Sequence, residues 1–379
     1  MPASNPAFLD TLFGARDIDI ARGALFDRAP GPASPDPAFD RAAGMLLGLA
    51  IGDALGHPLV RVPPGLRAAR FGEMRDFAPT EHGGDAAHGL PSSITQLAIW
   101  TLDDLTAAGR FRPKRVVDRW CEHPLFGAGV TVRDALRDAR SGVPWHRCGR
   151  KSAGAGPAAR VAPLLLPHRA EGDAGLWADV ALGTMATHND SAALASALGV
   201  AALLHGCLTL APPGASTAAA TIPSAAWWAD TFIAVARDVE IEPFYKVPRP
   251  GEEPWRGRLW ERVAATVPDA LATDLGVADA AARWGSGEYA LEAIPIALLI
   301  LARHAADPEA ALLRAANDTD AADVVGAIVG ACVGALHGAA ALPARWRDGL
   351  TGRTGAADDG HVFASIDAAR ARWGESAVA

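Results

Sequence analysis

The sequence predicts an all-α protein, built as a single large compact helical domain with an N-terminal extension. Apolar residues recur at three- and four-residue intervals through much of the chain, which is the spacing of one face of a helix. Runs of β-branched residues with period two, the pattern of strands, are almost absent. Half of the 379 residues are hydrophobic and 21% are charged, so the chain can bury a sizeable core.

The first 39 residues differ from the rest of the chain. They show little periodicity and end in a proline-rich stretch at 29–37. We therefore expect residues 1–39 to form an extension with at most a short helix, followed by a linker. Residues 40–379 are predicted to form one domain, because nothing between 60 and 340 has the composition of an interdomain linker.

Helices are predicted in order from Asp40 to the end of the chain. The first segment is rich in Ala, Gly and Leu, the second carries Leu and Trp residues at helical spacing, and the third can be capped by Asp190 or Ser191. The remaining segments repeat the apolar spacing. The predicted helices are 39–51, 93–108, 191–205, 226–239, 254–267, 289–305, 308–316, 323–337 and 366–373. Loops rich in Gly and Pro are expected at 57–92, 142–163, 211–224 and 246–258.

A stripe of glycines marks the helix predicted at 323–337. Gly326, Gly330, Gly334 and Gly338 are spaced by four residues in a segment, 324–343, that is nearly free of ionisable groups. Membrane helices use such a stripe to pack closely. Because the segment is mostly Ala and Gly, and no second span accompanies it, we expect a core helix of a soluble protein and no membrane partner.

Charge and cysteine content argue against two kinds of function, nucleic-acid binding and structural zinc binding. Acidic residues outnumber basic ones by 43 to 35, giving a net charge of −8, which argues against nucleic-acid binding. The four cysteines include no CxxC pair, so a structural zinc site is not expected. The N-terminus lacks the basic region of a signal peptide. We expect a cytoplasmic protein, although an export route without a cleaved signal would leave no mark here.

Four motifs could carry chemistry. Asp53 lies in the run Gly-Asp-Ala-Leu-Gly at 52–56, where it can cap a helix or face a site. Gly154 and Gly156 form a Gly-x-Gly loop, whose backbone amides can bind a diphosphate. His188 follows a threonine just before a long helix. A fourth segment, Gly-x-Tyr-x₂-Glu-Ala-Ile-Pro at 287–295, precedes the glycine-striped helix.

In this order, from about Arg41 to Trp346, these segments resemble the ADP-ribosylglycohydrolase family. The resemblance implies an all-α domain that cleaves the bond between ADP-ribose and a protein side chain. It also implies two Mg²⁺ ions held by a Thr-Asp-Asp-Thr motif at one helix start and an Asp-x-Asp-Thr motif at another. A Glu just after the Gly-Asp-Ala-x-Gly segment is expected to assist the reaction.

The sequence departs from this pattern at the metal ligands. The first motif reads Ser92-Ser93-Ile94-Thr95, which keeps the last threonine and lacks both carboxylates. The assisting Glu would fall near Val60. When the glycine stripe is aligned without a gap, the second motif falls on Ala321, Asp323 and Val324, so one of four aspartates remains.

A second alignment register stays open. With an insertion of three residues, Asp318 and Asp320 would be the metal-binding pair, and Mg²⁺ would be possible. In the gap-free register no cofactor is expected, because Mg²⁺ needs several oxygen ligands and usually carboxylates among them.

The sequence therefore predicts an atypical family member that recognises ADP-ribose or an ADP-ribosylated protein, with ordinary hydrolysis impaired. Three alternatives stay open: an enzyme with metal-independent or altered chemistry on an ADP-ribosyl or nucleotide-sugar substrate, an ordinary Mg²⁺-dependent ADP-ribosyl-protein hydrolase, and an interaction protein with no ligand. A protein partner could bind residues 1–39. Asp323 and Asp53 are the candidate catalytic residues, and the candidate ligand-binding residues are Gly154, Gly156, Ser92, Ser93, Thr95 and His188.

Overall fold

The computed structural model confirms the all-α class. Residues 4–31, 39–60, 62–78, 88–169, 173–210, 222–242, 244–249 and 252–374 are described. The α-helices are α1 Asn5–Ala15, α2 Asp40–Gly56, α3 Pro64–Phe71, α4 Ser93–Ala108, α5 Pro113–Glu122, α6 Val130–Arg140, α7 Gly156–Ala159, α8 Gly175–Met185, α9 Ser191–Thr209, α10 Ala225–Val239, α11 Leu259–Ala272, α12 Val277–Trp284, α13 Ala290–His304, α14 Pro308–Asp318, α15 Ala322–His337, α16 Ala344–Gly349 and α17 His361–Trp373.

One small sheet interrupts the helices. Strand β1 (Tyr245–Arg249) pairs antiparallel with β2 (Glu252–Gly257), and Val247 lies opposite Trp255. The prediction of a helix from residue 254 was therefore wrong at its start, because residues 254–257 belong to β2 and α11 begins only at Leu259. The pairing partner lies in the preceding segment, so helical spacing within 254–267 carries no sign of it.

Sequence periodicity also missed several helices. Helices α5, α6, α8 and α12 lie outside the predicted segments, and the predicted loops at 57–92 and 142–163 contain the short helices α3 and α7. Helices α5 and α6 have 10 and 11 residues. Apolar residues do recur at helical spacing in both helices, as Val116 and Trp120 do in α5 and Val132 and Leu136 do in α6. Helices this short gain most of their stability from tertiary packing, so this spacing alone is a weak signal. Of the predicted loop at 211–224, residues 211–221 lie outside the described residues.

Helices α2 and α15 form the centre of the molecule. Their glycines face one another in pairs: Gly44 with Gly334, Gly48 with Gly330, and Gly52 with Gly326. A Cβ atom added to Gly48 would approach the carbonyl oxygen of Gly330 more closely than real Cβ atoms ever do. The glycine stripe thus lets two backbones touch inside a helical core, as we expected from its sequence.

Within the described ranges, two helical segments are long and apolar enough to cross a membrane by length and composition alone. They are Asp40–Leu59 and Ser191–Thr209. The fold buries 89% and 83% of their most apolar windows, respectively. The core helices of a helical domain are buried to this extent. Length and apolar composition are therefore weak evidence that these helices span a membrane.

The beginning of the chain packs against the domain. Helix α1 buries Leu9 and Leu12, which are 2% and 3% exposed. The indole nitrogen of Trp177 in α8 donates a hydrogen bond to the carbonyl oxygen of Arg28 at 2.8 Å. Residues 4–31 therefore form part of the folded molecule, whereas most of the proline-rich stretch 29–37 lies outside the described residues.

Candidate functional site

A pocket of about 280 Å³ opens where several loops meet the start of α15. This first pocket is lined by the beginning of α4, the loop before α6, the loop 152–156, His188, the loop 288–289 and the beginning of α15. Five of the residues that the sequence singled out reach its surface: Ser93, Gly154, Gly156, His188 and Asp323. Residues far apart in the chain thus meet in one cavity.

Asp53 lies beneath this pocket and is completely buried. Its Oδ2 atom accepts hydrogen bonds from the backbone N–H of Ser92 at 2.9 Å and of Thr95 at 3.1 Å, and from the Thr95 hydroxyl at 2.6 Å. Burial raises the pKa of Asp53, and the charge of His57 opposes that rise. The Oδ1 atom makes no hydrogen bond with any described residue. Asp53 thus fixes the start of α4, and its catalytic role stays a prediction.

Ser92 and Thr95 share this buried position. They are 1% and 0% exposed, and neither lines the first pocket. The Ser92 hydroxyl caps α4 by accepting the N–H of Ile94 at 3.0 Å. Both residues therefore hold α4 in place next to the pocket, and their predicted contact with a ligand is untested.

Asp323 is the buried carboxylate that faces the first pocket. It is 8% exposed. Burial, with a smaller contribution from the charge of Asp53, raises its pKa to about 7. Its Oδ1 atom accepts the N–H of Val324 at 2.7 Å. A carboxyl group with a pKa near neutrality can hold or release a proton under ordinary conditions.

The neighbours of Asp323 do not suit a divalent metal. Ile94 and Val324 line the pocket beside it with aliphatic side chains, and Ser93 contributes a hydroxyl. Mg²⁺ requires near-octahedral oxygen ligation. Among the residues that the structure describes, no group of three or more His, Cys, Asp or Glu side chains is placed to hold a metal ion. The carboxylates that line the described pocket are Asp323 and Glu288, which are fewer than the four aspartates that the resemblance implies for a pair of Mg²⁺ ions.

Asp318 and Asp320 line a different cavity. This second pocket has a volume of about 490 Å³ and lies between α3, α12 and α14. Asp318 forms an ion pair with Arg314 at 3.2 Å, and burial raises the pKa of Asp318. Asp320 accepts the hydroxyl of Ser286 at 2.8 Å. The structure does not bring these two carboxylates into the first pocket with Asp323.

His188 forms part of the opposite wall. Its Nδ1 atom lies 2.9 Å from the Thr187 hydroxyl oxygen, which also accepts a hydrogen bond from Arg160 at 2.5 Å. Burial, with a smaller contribution from the charge of Arg160, lowers the pKa of His188 to about 3. The imidazole is therefore neutral at physiological pH and can offer a ligand one hydrogen bond through Nε2.

The Gly154–Gly156 loop lies beside this histidine. A Cβ atom on Gly154 would lie 3.2 Å from the Nε2 atom of His188, so a side chain there would crowd the ring. Two hydrogen bonds fix the loop against the 288–290 segment: Ala155 N–H to the Glu288 carbonyl at 2.9 Å, and Ala290 N–H to the Ala153 carbonyl at 2.8 Å. The loop thus holds its backbone close to the cavity.

Sequence reasoning missed several pocket residues. Glu288 and Tyr289 line the pocket, and so does a pair of hydroxyls, Thr131 and Ser152, whose oxygens lie 3.0 Å apart. Tyr289 was part of a motif, but Glu288 occupied one of its variable positions. The available signal for Glu288 was that it lies between Gly287 and Tyr289, two residues of a motif already considered for the site.

Comparisons with known proteins agree with this architecture. A family model described as ADP-ribosylglycohydrolase matches residues 34–374. The chain is 28% identical over 333 residues to an ADP-ribosylarginine hydrolase, Tri1, of Pseudomonas putida strain GB-1, covering 83% of this chain and 75% of that protein. It is 27% identical over 326 residues to the uncharacterized protein YegU of Escherichia coli K12, covering 80% and 89%.

A solved structure shares the fold. It is described as an ADP-ribosylglycohydrolase-related protein complex, has 25% sequence identity to this chain and superposes with a TM-score of 0.59. The match covers 88% of this chain and 98% of that one. Sequence and structure therefore point to the same relatives.

Proposed function

The chain belongs to the ADP-ribosylglycohydrolase family, and on that premise we propose that it binds ADP-ribose or an ADP-ribosylated protein in the first pocket without efficient hydrolysis. In this role it acts as a binder or regulator of ADP-ribosylation. The name of the Tri1 relative, an ADP-ribosylarginine hydrolase, supports the substrate class. The chemistry of the pocket supports the weak hydrolysis.

One observation carries the proposal: aliphatic side chains stand beside Asp323. Ile94 and Val324 are 8% and 4% exposed and line the pocket. In the gap-free register they occupy positions where the family has an aspartate and a threonine. Hydrocarbon side chains cannot ligate a metal, so the ions that would orient the ribose and activate water have no adequate ligand set.

The remaining polar groups of the pocket suit binding. The backbone of Gly154 and Gly156 can approach a diphosphate closely, because no side chain intervenes. The neutral imidazole of His188 offers one directed hydrogen bond, and the Ser93 hydroxyl offers another. Each is a group that holds and orients a ligand without changing it.

A second candidate function is supported by the pKa of Asp323, which burial raises to about 7. A carboxylic acid with this pKa can protonate the leaving group of a glycosidic bond while water attacks the anomeric carbon, so that ADP-ribose and the free side chain form. In this case the protein is an enzyme that needs no metal.

Calorimetry with ADP-ribose, in Mg²⁺ and in chelator, tests the proposal alongside an assay for ADP-ribose release from an arginine-modified protein. We expect equal affinity in both buffers and little release. His188→Ala should weaken binding, whereas His337→Ala, which removes a histidine at the end of α15 that bonds the Ala305 carbonyl and lies outside the first pocket, should not.

The other outcomes separate the alternatives. Release that persists in chelator would favour the second candidate. Release that chelator abolishes would overturn the gap-free register and favour a metal site at Asp318 and Asp320. Absence of any binding would leave an interaction protein without a nucleotide ligand.

A further inference from the structure

The N-terminal arm, residues 4–31, lies outside the part of the chain that the family model matches, which begins at residue 34. It is nevertheless attached to the molecule at widely separated points. The Asn5 amide donates to Asp179 at 2.6 Å, and the backbone N–H of Ala21 donates to the Val239 carbonyl at 2.8 Å. The arm is thus bound to several elements of the domain.

The middle of the arm binds the side chain of Asn189. The Asn189 Oδ1 atom accepts the backbone N–H of Asp19 at 3.0 Å, and its Nδ2 atom donates to the carbonyl oxygen of Asp17 at 2.8 Å. A single amide therefore bonds both a donor and an acceptor of the arm's backbone. Lys151 adds an ion pair with Asp19 at 3.6 Å.

Asn189 connects the arm to the pocket. Its own backbone N–H donates to the Arg150 carbonyl at 2.9 Å, and the Arg150 N–H donates to the Thr187 carbonyl at 2.9 Å. These bonds join the segment that carries His188 to the segment that leads into the 152–156 loop. Both segments line the first pocket, so the arm contacts the back of one pocket wall.

The start of the arm supports the same wall from its other end. The ring of Phe8 in α1 packs against Trp145 and His146, with centroid distances of 5.7 and 5.6 Å. Those residues form a short 3₁₀ turn, Trp145–Arg147, just before Arg150. The arm therefore touches both the approach to the 150–156 segment and the residue that follows His188.

We propose that the N-terminal arm positions the His188 wall of the first pocket, with Asn189 as the positioning residue. The consequence for ligand binding rests on the proposed function above. Pocket walls made of loops lose conformational freedom when a ligand binds, and a brace that orders them beforehand lowers that cost. The arm is thus an accessory part of the binding site that never touches the ligand.

The test compares Asn189→Ala with a matched control, Asn317→Ala. Asn317 joins two segments by the same kinds of bond: its amide accepts the Met74 N–H at 2.8 Å and donates to the Met74 carbonyl at 2.9 Å. It lines the second pocket. Both substitutions remove comparable hydrogen bonds, so both should lower the melting temperature.

Only Asn189→Ala should weaken ADP-ribose binding, by about five- to tenfold, the size expected from losing one or two hydrogen bonds that order the wall. In the ligand-free protein, only this variant should speed hydrogen–deuterium exchange at 150–156 and 187–189. Asn189→Asp, which keeps the acceptor for Asp19 and loses the donor to Asp17, should give an intermediate result and guards against a variant that fails to fold.

The exchange measurement needs no ligand, so it keeps this proposal separate from the proposed function. If the wild-type protein binds no ADP-ribose but Asn189→Ala loosens the wall, the brace stands and the ligand assignment fails. Unchanged exchange in Asn189→Ala, or an equal loss of affinity in Asn317→Ala, would overturn the brace.

Discussion

Asp53 and Thr95 are joined by two hydrogen bonds, because one carboxylate oxygen accepts both the backbone N–H and the hydroxyl of the threonine. This contact connects α2 to the first turn of α4, beside the first pocket. An acidic side chain at the start of a helix satisfies backbone donors that have no partner within the helix. The contact makes Asp53 an anchor of the site.

Asp53→Ala should lower the free energy of unfolding by about 2–4 kcal/mol, because it leaves several buried donors unsatisfied. Chemical denaturation measures the change. Asp307→Ala removes an exposed cap of α14 that accepts two N–H groups, and it should cost only about 1 kcal/mol. Equal losses in the two variants would contradict the anchoring role.

Gly48→Ala should prevent α2 and α15 from touching, because the new Cβ would meet the Gly330 backbone. Overpacking of a core usually costs about 1–3 kcal/mol, and we expect at least that loss since backbone cannot rotate away. Gly14→Ala in α1, where no atom lies within 4 Å of the new Cβ, should be neutral or slightly stabilising. Thermal melting distinguishes the two, and an undiminished melting temperature for Gly48→Ala would be inconsistent with the packing.

Restoring the family's ligands should create Mg²⁺ affinity. The combined variant is Val60→Glu, Ser93→Asp, Ile94→Asp, Ala321→Asp and Val324→Thr, which supplies the carboxylates that a hard cation requires. Calorimetric titration with Mg²⁺ is the measurement. A control with Gln and Asn in place of Glu and Asp keeps the shapes without the charges and should not bind. If the charged variant folds and still ignores Mg²⁺, the gap-free register is wrong.

Glu240 should make stability depend on pH. Burial raises its pKa from 4.5 to about 7, so the folded protein holds this proton more tightly than the unfolded chain. Its stabilising contribution is present below pH 4.5 and disappears as pH rises through 7. Glu240→Gln should flatten the profile, because the amide does not titrate. It should also lower stability at every pH by a constant amount, because the amide nitrogen cannot accept one of the two N–H groups, of Leu259 and Trp260, that the carboxylate oxygens accept.

Urea denaturation at several pH values measures this difference. The exposed variant Glu122→Gln controls for the change in net charge. A Glu240→Gln profile that runs parallel to wild type would show that this carboxyl does not titrate in the range.

Glu288→Gln should tighten ADP-ribose binding by a few-fold, if the proposed function holds. The carboxylate is exposed at the pocket and repels a diphosphate, but the interaction is weakened by water and salt. The gain in affinity should shrink in 1 M salt. The control Glu253→Gln changes an exposed residue on β2 outside the first pocket and should not change the affinity. A gain independent of salt would point to a cause other than charge.

The helical fold was predictable because its signals are local. The core helices repeat apolar residues along one face, and the glycine stripe of α15 indicates that another helix packs closely against it. The β-hairpin was not predictable in the same way, since Val247 and Trp255 form their pair across a turn. Helices α5 and α6 were missed although their apolar residues recur at helical spacing, because segments this short are marginal as helices until they have packed.

The site was predictable in part. The loop glycines and His188 stood in recognisable motifs, and they do meet in one pocket. Arg160 and Glu288 could be assigned to that pocket only from three-dimensional proximity. The contacts of residues 4–31 with Asn189 could not be predicted either, because no sequence pattern in one segment indicates that it contacts the other. The catalytic and ligand-binding roles of the individual residues stay predictions.

The paired glycines of α2 and α15 separate the architecture of this protein from the side chains of its pocket. Their contacts are made by main chain, so the relative height of the two helices does not depend on any side chain in the cavity. Asp53 directly follows Gly52, and Asp323 lies three residues before Gly326, so this contact between main chains sets the positions of both carboxylates. A substitution at one end of the helix pair can therefore change the chemistry of the pocket without moving the scaffold.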